Sequence, residues 1–560
     1  MHDLDTGWLP HGRELLAAGD RAAVAHFTAA VQGCPDNAAA HCGLGTALQA
    51  QGQIEAALAS FQRAADLAPD NVEALVGQGD CSLALGELEN ARDCFEIALA
   101  HAPASVAALC GLARLLRETG DVAGSIRRLQ DALQRLPAHA DILFELGLSL
   151  SRAERSDEAV DAYQRTLVAD PRHYGALVNL GLYHLSHLGD PKRAQQFFEQ
   201  AAARYPQSVH AQANLGLALQ EQGRLDLAIA HYERLIAQQP DAIEYRWNRG
   251  LARLYQGDFA RGWADYELRN VRGGRDVRRN FGLPEWDGSE PARRHLLVYA
   301  EQGVGDEVMF ASCLPDLARM VASVVVECDV RLAPLYTRSF AGVTVHGAAR
   351  DGGRDWLRMH PALDHQIAIA SLTRLLRARR EDFPVHAGYL VPDAARVAAW
   401  RRRLAGSSDA PAVGLAWRGG TRKTRAGLRS LELRDLLPLA HARQCRFVCL
   451  QRGDCGEELA AARAAGMTIE WWPEALNDLE ETAALIAALD QVISVDNTVV
   501  HLAGALGRPC WVMLAHVPDW RYGLTGETMP WYPSLRLFRQ TRSVDWAPVV
   551  AAVAAALPSL

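Results

Sequence analysis

A chain of 560 residues with 49% hydrophobic, 22% charged and 7% aromatic residues is too long for one core and has the composition of an ordinary globular protein. Its formal net charge of -8 argues against wholesale nucleic-acid binding. No run approaches the ~18 apolar residues of a membrane span, and the opening MHDLDTGWLPHGRE holds no apolar signal core. Eleven cysteines form no C-x-x-C pair, and Cys42, Cys81 and Cys110 fall at helix-interior positions. They read as reduced core filler, so a cytoplasmic location is expected.

The first half repeats. Prolines stand at 35, 69, 103, 137, 171, 206 and 240, a 34-residue period with one single-residue slip. Ten residues after them come Gly45, Gly79, Ala113, Gly147, Gly181, Gly216 and Gly250, then a small residue (Ala57, Ala91, Ser125 and their equivalents) and an aromatic or Leu such as Phe61, Phe95 or Tyr163. Small residues let two antiparallel helices approach, the larger residue fills the notch, and Pro ends the second helix. The pattern resembles the tetratricopeptide repeat, with about eight repeats in residues 1–270, the eighth lacking its closing Pro. The resemblance implies stacked helix pairs whose concave face holds a polypeptide. Asn179, Asn214 and Asn248 occupy the same first-helix position in successive repeats. An amide donates and accepts, so the three could grip an extended backbone, or they are merely solvated. The ladder is similar to the groove asparagines of O-GlcNAc transferases.

Around Val271-Arg272-Gly273-Gly274-Arg275 the period stops, and residues 271–290 read as a polar linker. HLLVYAEQGVGDEVMFASCLPDLARM then gives strand, Gly-rich turn and helix, and SVVVECD, VTVHG and HQIAIASL supply further strands of an α/β half at 291–400. A second half, 401–560, starts near Pro411 with AVGLAWRGG and runs through CRFVCLQRG and TIEWWPE. In VISVDNTVVHLAGALGRPCWVML a strand, a polar turn, a helix stopped by Gly507-Arg508-Pro509 and a strand from Cys510 to Leu514 follow one another. WAPVVAAVAAALPSL closes as a helix. Two such halves facing a cleft match the GT-B glycosyltransferase architecture. The expected fold is an all-α tetratricopeptide-repeat superhelix followed by an α/β two-Rossmann (GT-B) glycosyltransferase domain, with an acceptor side at 291–400 and a donor side at 401–560.

AEQGVGDEVMFASCLPDL resembles the Gly-x-Gly-Asp loop of ADP-heptose:lipopolysaccharide heptosyltransferases, and SVDNTVVHLAGALGRP resembles their donor motif, with Asn497 where Ser or Thr commonly follows the Asp. The chain is also similar to bacterial proteins that join this domain to tetratricopeptide repeats, in which PDWR and the WYPS-x-RLFRQ tail recur. The resemblance implies that Asp306 is the general base. Alternatively it caps the following helix, with Glu307 in the first turn acting electrostatically and Glu301 a weaker candidate base. Gly303 and Gly305 would free the backbone around it.

Departing phosphate calls for cations. Arg418, Arg422, Lys423, Arg425 and Arg429 lie within twelve residues after the strand at Ala412, and the resemblance places a phosphate contact at Arg429-Ser430. A solvated basic loop is the plain alternative. Asp496 would meet ribose hydroxyls or cap, the helix start at Asn497-Thr498 would add amide dipoles, and His501 touches the donor or packs in the core. Trp520 and Arg521 would close over a base or sugar, unless Trp520 is core. Trp471-Trp472-Pro473 reads as interdomain packing or a base-stacking wall. No D-x-D clamp occurs from 275 to 560, so neither metal nor cofactor is expected, the cations and helix dipoles doing a metal's work.

These readings point to a cytoplasmic bacterial enzyme moving a sugar, with inversion, from a nucleotide-sugar donor to Ser/Thr of a protein acceptor held by the repeats, flagellin being one such acceptor. Two alternatives stand beside it: a heptosyltransferase-like enzyme of envelope glycan synthesis, and a repeat scaffold whose transferase domain has decayed. Nucleic acid and membrane are not expected partners.

Overall fold

The structure is a computed structural model that describes residues 8–271, 278–349, 353–405, 410–420, 426–442 and 445–557. Eight antiparallel helix pairs fill the repeat region, from Trp8–Ala17 with Ala22–Gly33 to Ile243–Gln256 with Phe259–Tyr266. The period is visible in the caps: Asn37, Asn71 and Ser105 each start a first helix by accepting from the amide three residues on, at 3.1, 3.1 and 3.4 Å. Each such cap contributes ~1 kcal/mol. The close approach inferred from small residues is real, because a Cβ on Gly77 would sit 2.5 Å from the Phe61 ring, which is 2% exposed.

The chain divides into two compact units, Met1–Leu180 and Gly181–Leu560. The helix pairs run to Tyr266, and the later repeats fall in the unit that contains the sheets. Aromatic burial explains this. Trp263, 1% exposed, donates its indole N–H to Arg377 O at 2.8 Å and meets Trp520 and Trp531 edge-on at 5.3 and 6.3 Å. Tyr255 adds a hydroxyl bond to Pro518 O at 2.6 Å. Residues 278–290 are likewise no free linker. Arg279 pairs with Glu327 at 2.6 Å, Phe281 N bonds Gln366 Oε1 at 2.8 Å, and Trp286 is buried. Gly273 and Gly274 lie outside the described residues.

The first sheet holds β1 (His295–Tyr299), β2 (Ser323–Asp329), β3 (Val343–Ala348) and β4 (His365–Ala368), all parallel in the order β3-β2-β1-β4. The second holds β5 (Ala412–Ala416), β6 (Arg446–Cys449), β7 (Ile469–Glu470), β8 (Gln491–Val495), β9 (Cys510–Leu514) and β10 (Leu535–Arg539), parallel in the order β10-β9-β8-β5-β6-β7. Numbered within its own half, the second order is that of a doubly wound sheet, reversing between β5 and β8. β5, β8 and β9 are buried at every position, as parallel strands covered on both faces must be.

Three local differences follow. HQIAIASL is a strand only to Ala368 and then a 3-10 turn, and β7 keeps two residues before Pro473 starts a helix. The helix Ala394–Leu404 also crosses to the second half before residue 400: Trp400 and Arg396 bond the Glu481 carboxylate at 2.8 and 2.7 Å.

Candidate functional site

The reversal of strand order in a doubly wound sheet opens a crevice at the carboxyl ends of the strands. Here it forms a cleft of about 190 Å³ between the sheets. Arg418 follows β5, Gln451 and Arg452 follow β6, and Asn497 and Thr498 follow β8; Val304 and Arg331 face them from the first sheet. Leu450, Leu476 and Leu479 make an apolar shelf. Among the described residues the lining includes three guanidinium groups and no carboxylate, which suits a ligand with an anionic part and a flat apolar part.

Asn497 explains its own presence. Its Oδ1 accepts from Val499 N at 2.9 Å, starting the helix Thr498–Ala505, while its Nδ2 donates to Arg418 O at 3.1 Å. One amide thus ties the turn after β8 to the turn after β5, its acceptor and its donor lying on separate atoms. Thr498 is exposed at the cleft. Ser430 accepts from Gly419 N at 3.0 Å and so holds the turn after β5.

Beside the cleft runs a line of buried charge. Asp306, in the helix Val304–Phe310, pairs with Arg521, and Arg521 also reaches Asp519 at 2.5 Å. Arg429 pairs with Asp496, whose other oxygen accepts from Tyr522 OH at 2.8 Å. Burial raises the Asp496 carboxyl above its usual range, with Arg429 opposing. Burial also pushes Asp519 upward, but Arg521 and Arg429 outweigh it and hold this carboxyl low. Asp306 and Arg429, 123 positions apart, therefore belong to one network.

Gly305 keeps the approach close: a Cβ there would lie 3.1 Å from His501 Cδ2 and 3.5 Å from Thr498 Oγ1, tight but not excluded, so two helices cross at this residue. Gly303 has φ -74, and neither glycine adopts the left-handed backbone, which corrects the expectation of a conformationally freed turn.

Other expected residues are spent elsewhere. Glu307 is 3% exposed and accepts from Asp329 N at 3.0 Å, so it fixes the end of β2 instead of facing the cleft. Glu301 is held by Arg269 at 2.7 Å. His501 is 6% exposed and meets Tyr532 OH at 3.1 Å; burial, reinforced by Arg521, lowers it to about 4. Trp520 is core, 6% exposed. Trp472 stacks under Arg403 and against Trp400, which is packing within the second half. Arg422, Lys423 and Arg425 lie outside the described residues. In the repeats Asn179 and Asn214 are half-buried, while Asn248 bonds the Tyr232 hydroxyl and so serves repeat packing.

Arg331, Gln451, Arg452 and Asn477 line the cleft without any motif to mark them. Their one signal is position, in turns directly after strands or short helices. Among the described residues no group of three or more His, Cys, Asp or Glu is arranged to hold a metal, and no helix is long and apolar enough to cross a membrane.

Comparison with known proteins bears on both halves. Tetratricopeptide-repeat families match residues 9–70, 42–106, 83–141, 110–171 and 144–209, and again 186–254. Protein FlbA of Caulobacter vibrioides is 32% identical over 430 residues, covering 74% of this chain and 72% of that protein. The chain belongs to the FlbA family. The FlbA match is longer than the whole repeat region, so it reaches into the sheets as well. Solved structures resembling this chain include the Cut9-Hcn1 hetero-tetramer of the APC/C (18% identity, TM-score 0.38, 45% of this chain and 49% of that one). Human IFIT1 with PPP-AAAA gives 18% and 0.37, over 46% of this chain and 66% of that one. Pseudomonas aeruginosa pilF gives 18% and 0.32, over 37% and 95%.

Proposed function

We propose that the chain is a GT-B glycosyltransferase. Its two parallel sheets act as Rossmann halves, a nucleotide-sugar donor lies in the cleft between them, and Ser/Thr side chains of a protein held by the repeats accept the sugar. The observation that carries this reading is the cleft itself: two arginines from the second sheet faced by one from the first, beside an apolar shelf, at the reversal point of a doubly wound sheet.

In this reading Arg418 and Arg452 take phosphate oxygens and the amides of Asn497-Thr498 add a partial positive charge. Asp306, two residues beyond the cleft-lining Val304, takes the proton of the acceptor hydroxyl as its oxygen attacks the anomeric carbon, with inversion. Charge on the leaving group is met by guanidinium groups, so no metal is needed. Flagellin is the acceptor we would test first.

One observation favours a second reading, a repeat scaffold that binds a nucleotide without transfer: Asp306 and Arg429 both stand in internal ion pairs. Incubation with radiolabelled nucleotide-sugars and flagellin in the presence of EDTA separates the two. Protein-bound label lost in Asp306→Ala supports the enzyme. Donor binding with no transfer to any acceptor, including lipid-linked saccharide, supports the scaffold.

A further inference from the structure

We propose that Arg331 is a donor-phosphate contact supplied across the cleft by the first sheet, and that Asp329 and Glu307 position it; the inference rests on the nucleotide-sugar reading and adds residues to that same site.

β2 ends at Asp329, and Arg331 lies two residues on, lining the same cleft as Arg418 and Arg452. Its guanidinium is held by one edge. Nε and Nη2 donate to the two oxygens of Asp329 at 2.9 and 2.7 Å, and the Arg331 backbone amide adds a third bond to Oδ1 at 3.0 Å. A guanidinium carries five N–H donors, so three stay outside this fork. The side chain is 42% exposed and reaches the solvent of the cleft.

The fork is itself anchored. Asp329 N donates at 3.0 Å to Oε1 of Glu307, a carboxylate only 3% exposed. Glu307 adjoins Asp306 in the helix Val304–Phe310, so one helix would present the base and brace the arginine. A guanidinium fixed in this way loses little side-chain freedom when it meets a phosphate, and its planar shape suits two oxygens at once. The neighbourhood suits an anion: Arg331 faces Arg418 and Arg452, the carboxylates of Asp329 and Glu458 pair with the first two from outside the lining, and among the described residues no carboxylate lines the cleft itself. A diphosphate there would touch both sheets and draw them together, whereas a surface ion pair with no ligand would give Arg331 nothing to do with nucleotides.

The test uses the full chain and calorimetric titration with ADP, UDP and inorganic pyrophosphate, with adenosine and uridine as uncharged controls. Arg331→Gln should weaken the phosphate-bearing probes about ten-fold, the usual scale for a lost charge-assisted bond. Nucleoside binding and the melting temperature should stay unchanged. Arg331→Lys keeps the charge without the fork and should fall between the two. Asp329→Asn should shift diphosphate affinity in the same direction, by less. Unchanged diphosphate affinity in Arg331→Gln overturns the proposal while leaving the nucleotide reading intact, and so does equal loss of nucleoside binding. If the native chain takes none of the probes, the proposal falls together with the nucleotide reading.

Discussion

Asp306 and Arg521 form an ion pair that joins the helix after β1 to the segment after β9, linking the carboxyl-end sides of the two sheets. Arg521 retains Asp519 if Asp306 is neutralised, so the fold should tolerate Asp306→Asn. That variant is expected to keep nucleotide binding and lose transfer by roughly 10²–10⁴-fold, the range of a general base. A single-turnover assay at saturating donor checks this, and an unaltered rate would remove Asp306 from the chemistry.

Arg429→Gln should behave differently. Asp496 is 6% exposed and its charge is met chiefly by Arg429. Removing one member of a buried pair costs ~3–5 kcal/mol, which urea unfolding followed by circular dichroism would detect. Because burial already raises the Asp496 carboxyl, protonation can relieve the orphaned charge. The deficit of the variant should therefore narrow as pH is lowered.

His501 gives a pH dependence with a definite sign. Its folded-state value is depressed from 6.5 to about 4 by burial first and Arg521 second, so the unfolded chain binds its proton at a higher pH than the folded one does. Stability from this residue is complete above pH ~6.5 and declines as the medium is acidified toward pH 4, by ~3 kcal/mol in order of magnitude. In His501→Gln the slope between those pH values should flatten, with the charges of Asp306, Asp519, Arg429 and Arg521 facing the site in both proteins. An identical slope in the variant would refute the assignment.

Gly305→Leu should be costly where Gly305→Ala is mild. An added Cβ already stands 3.1 Å from His501 Cδ2, so a larger side chain must part the helices Val304–Phe310 and Thr498–Ala505. Overpacking of this sort costs ~1–3 kcal/mol. The same displacement should weaken nucleotide binding, because Val304 and Thr498 line the cleft.

In the repeats, Asn214→Ala is expected to raise the acceptor KM without moving the melting temperature. Asn248→Ala should also lower stability by ~1 kcal/mol, since its amide bonds the Tyr232 hydroxyl. Equal effects on KM and none on stability would show that packing plays no part at Asn248.

The repeats are legible in the sequence because Pro, Gly and the aromatic each perform one steric task at fixed intervals. Strands β1, β2, β5, β8 and β9 are legible because buried parallel strands need uninterrupted apolar runs. β10 is hidden: LRLFR alternates arginine with apolar residues, as suits the edge position it takes in the sheet. The motif residues Asp306, Asp496 and Arg429 do converge, yet their partners Arg521, Asp519 and Tyr522 could not be paired with them from spacing, because tertiary contact sets those pairs. Spacing leaves Trp520 open between core and ligand stacking because Trp263, the ring that covers it, lies more than 250 residues earlier in the chain.

Trp263 in the last repeat, seated against Trp520 and Trp531, has a consequence for how this protein can be taken apart. A fragment beginning at residue 281 would leave those two indoles without their cover, and one ending at 270 would leave Trp263 facing water. Either piece would be prone to aggregate, and a failure to bind or react could not be blamed on the missing half alone. The last repeats and the sheets share one interior, and replacing those repeats with foreign ones would mean rebuilding it.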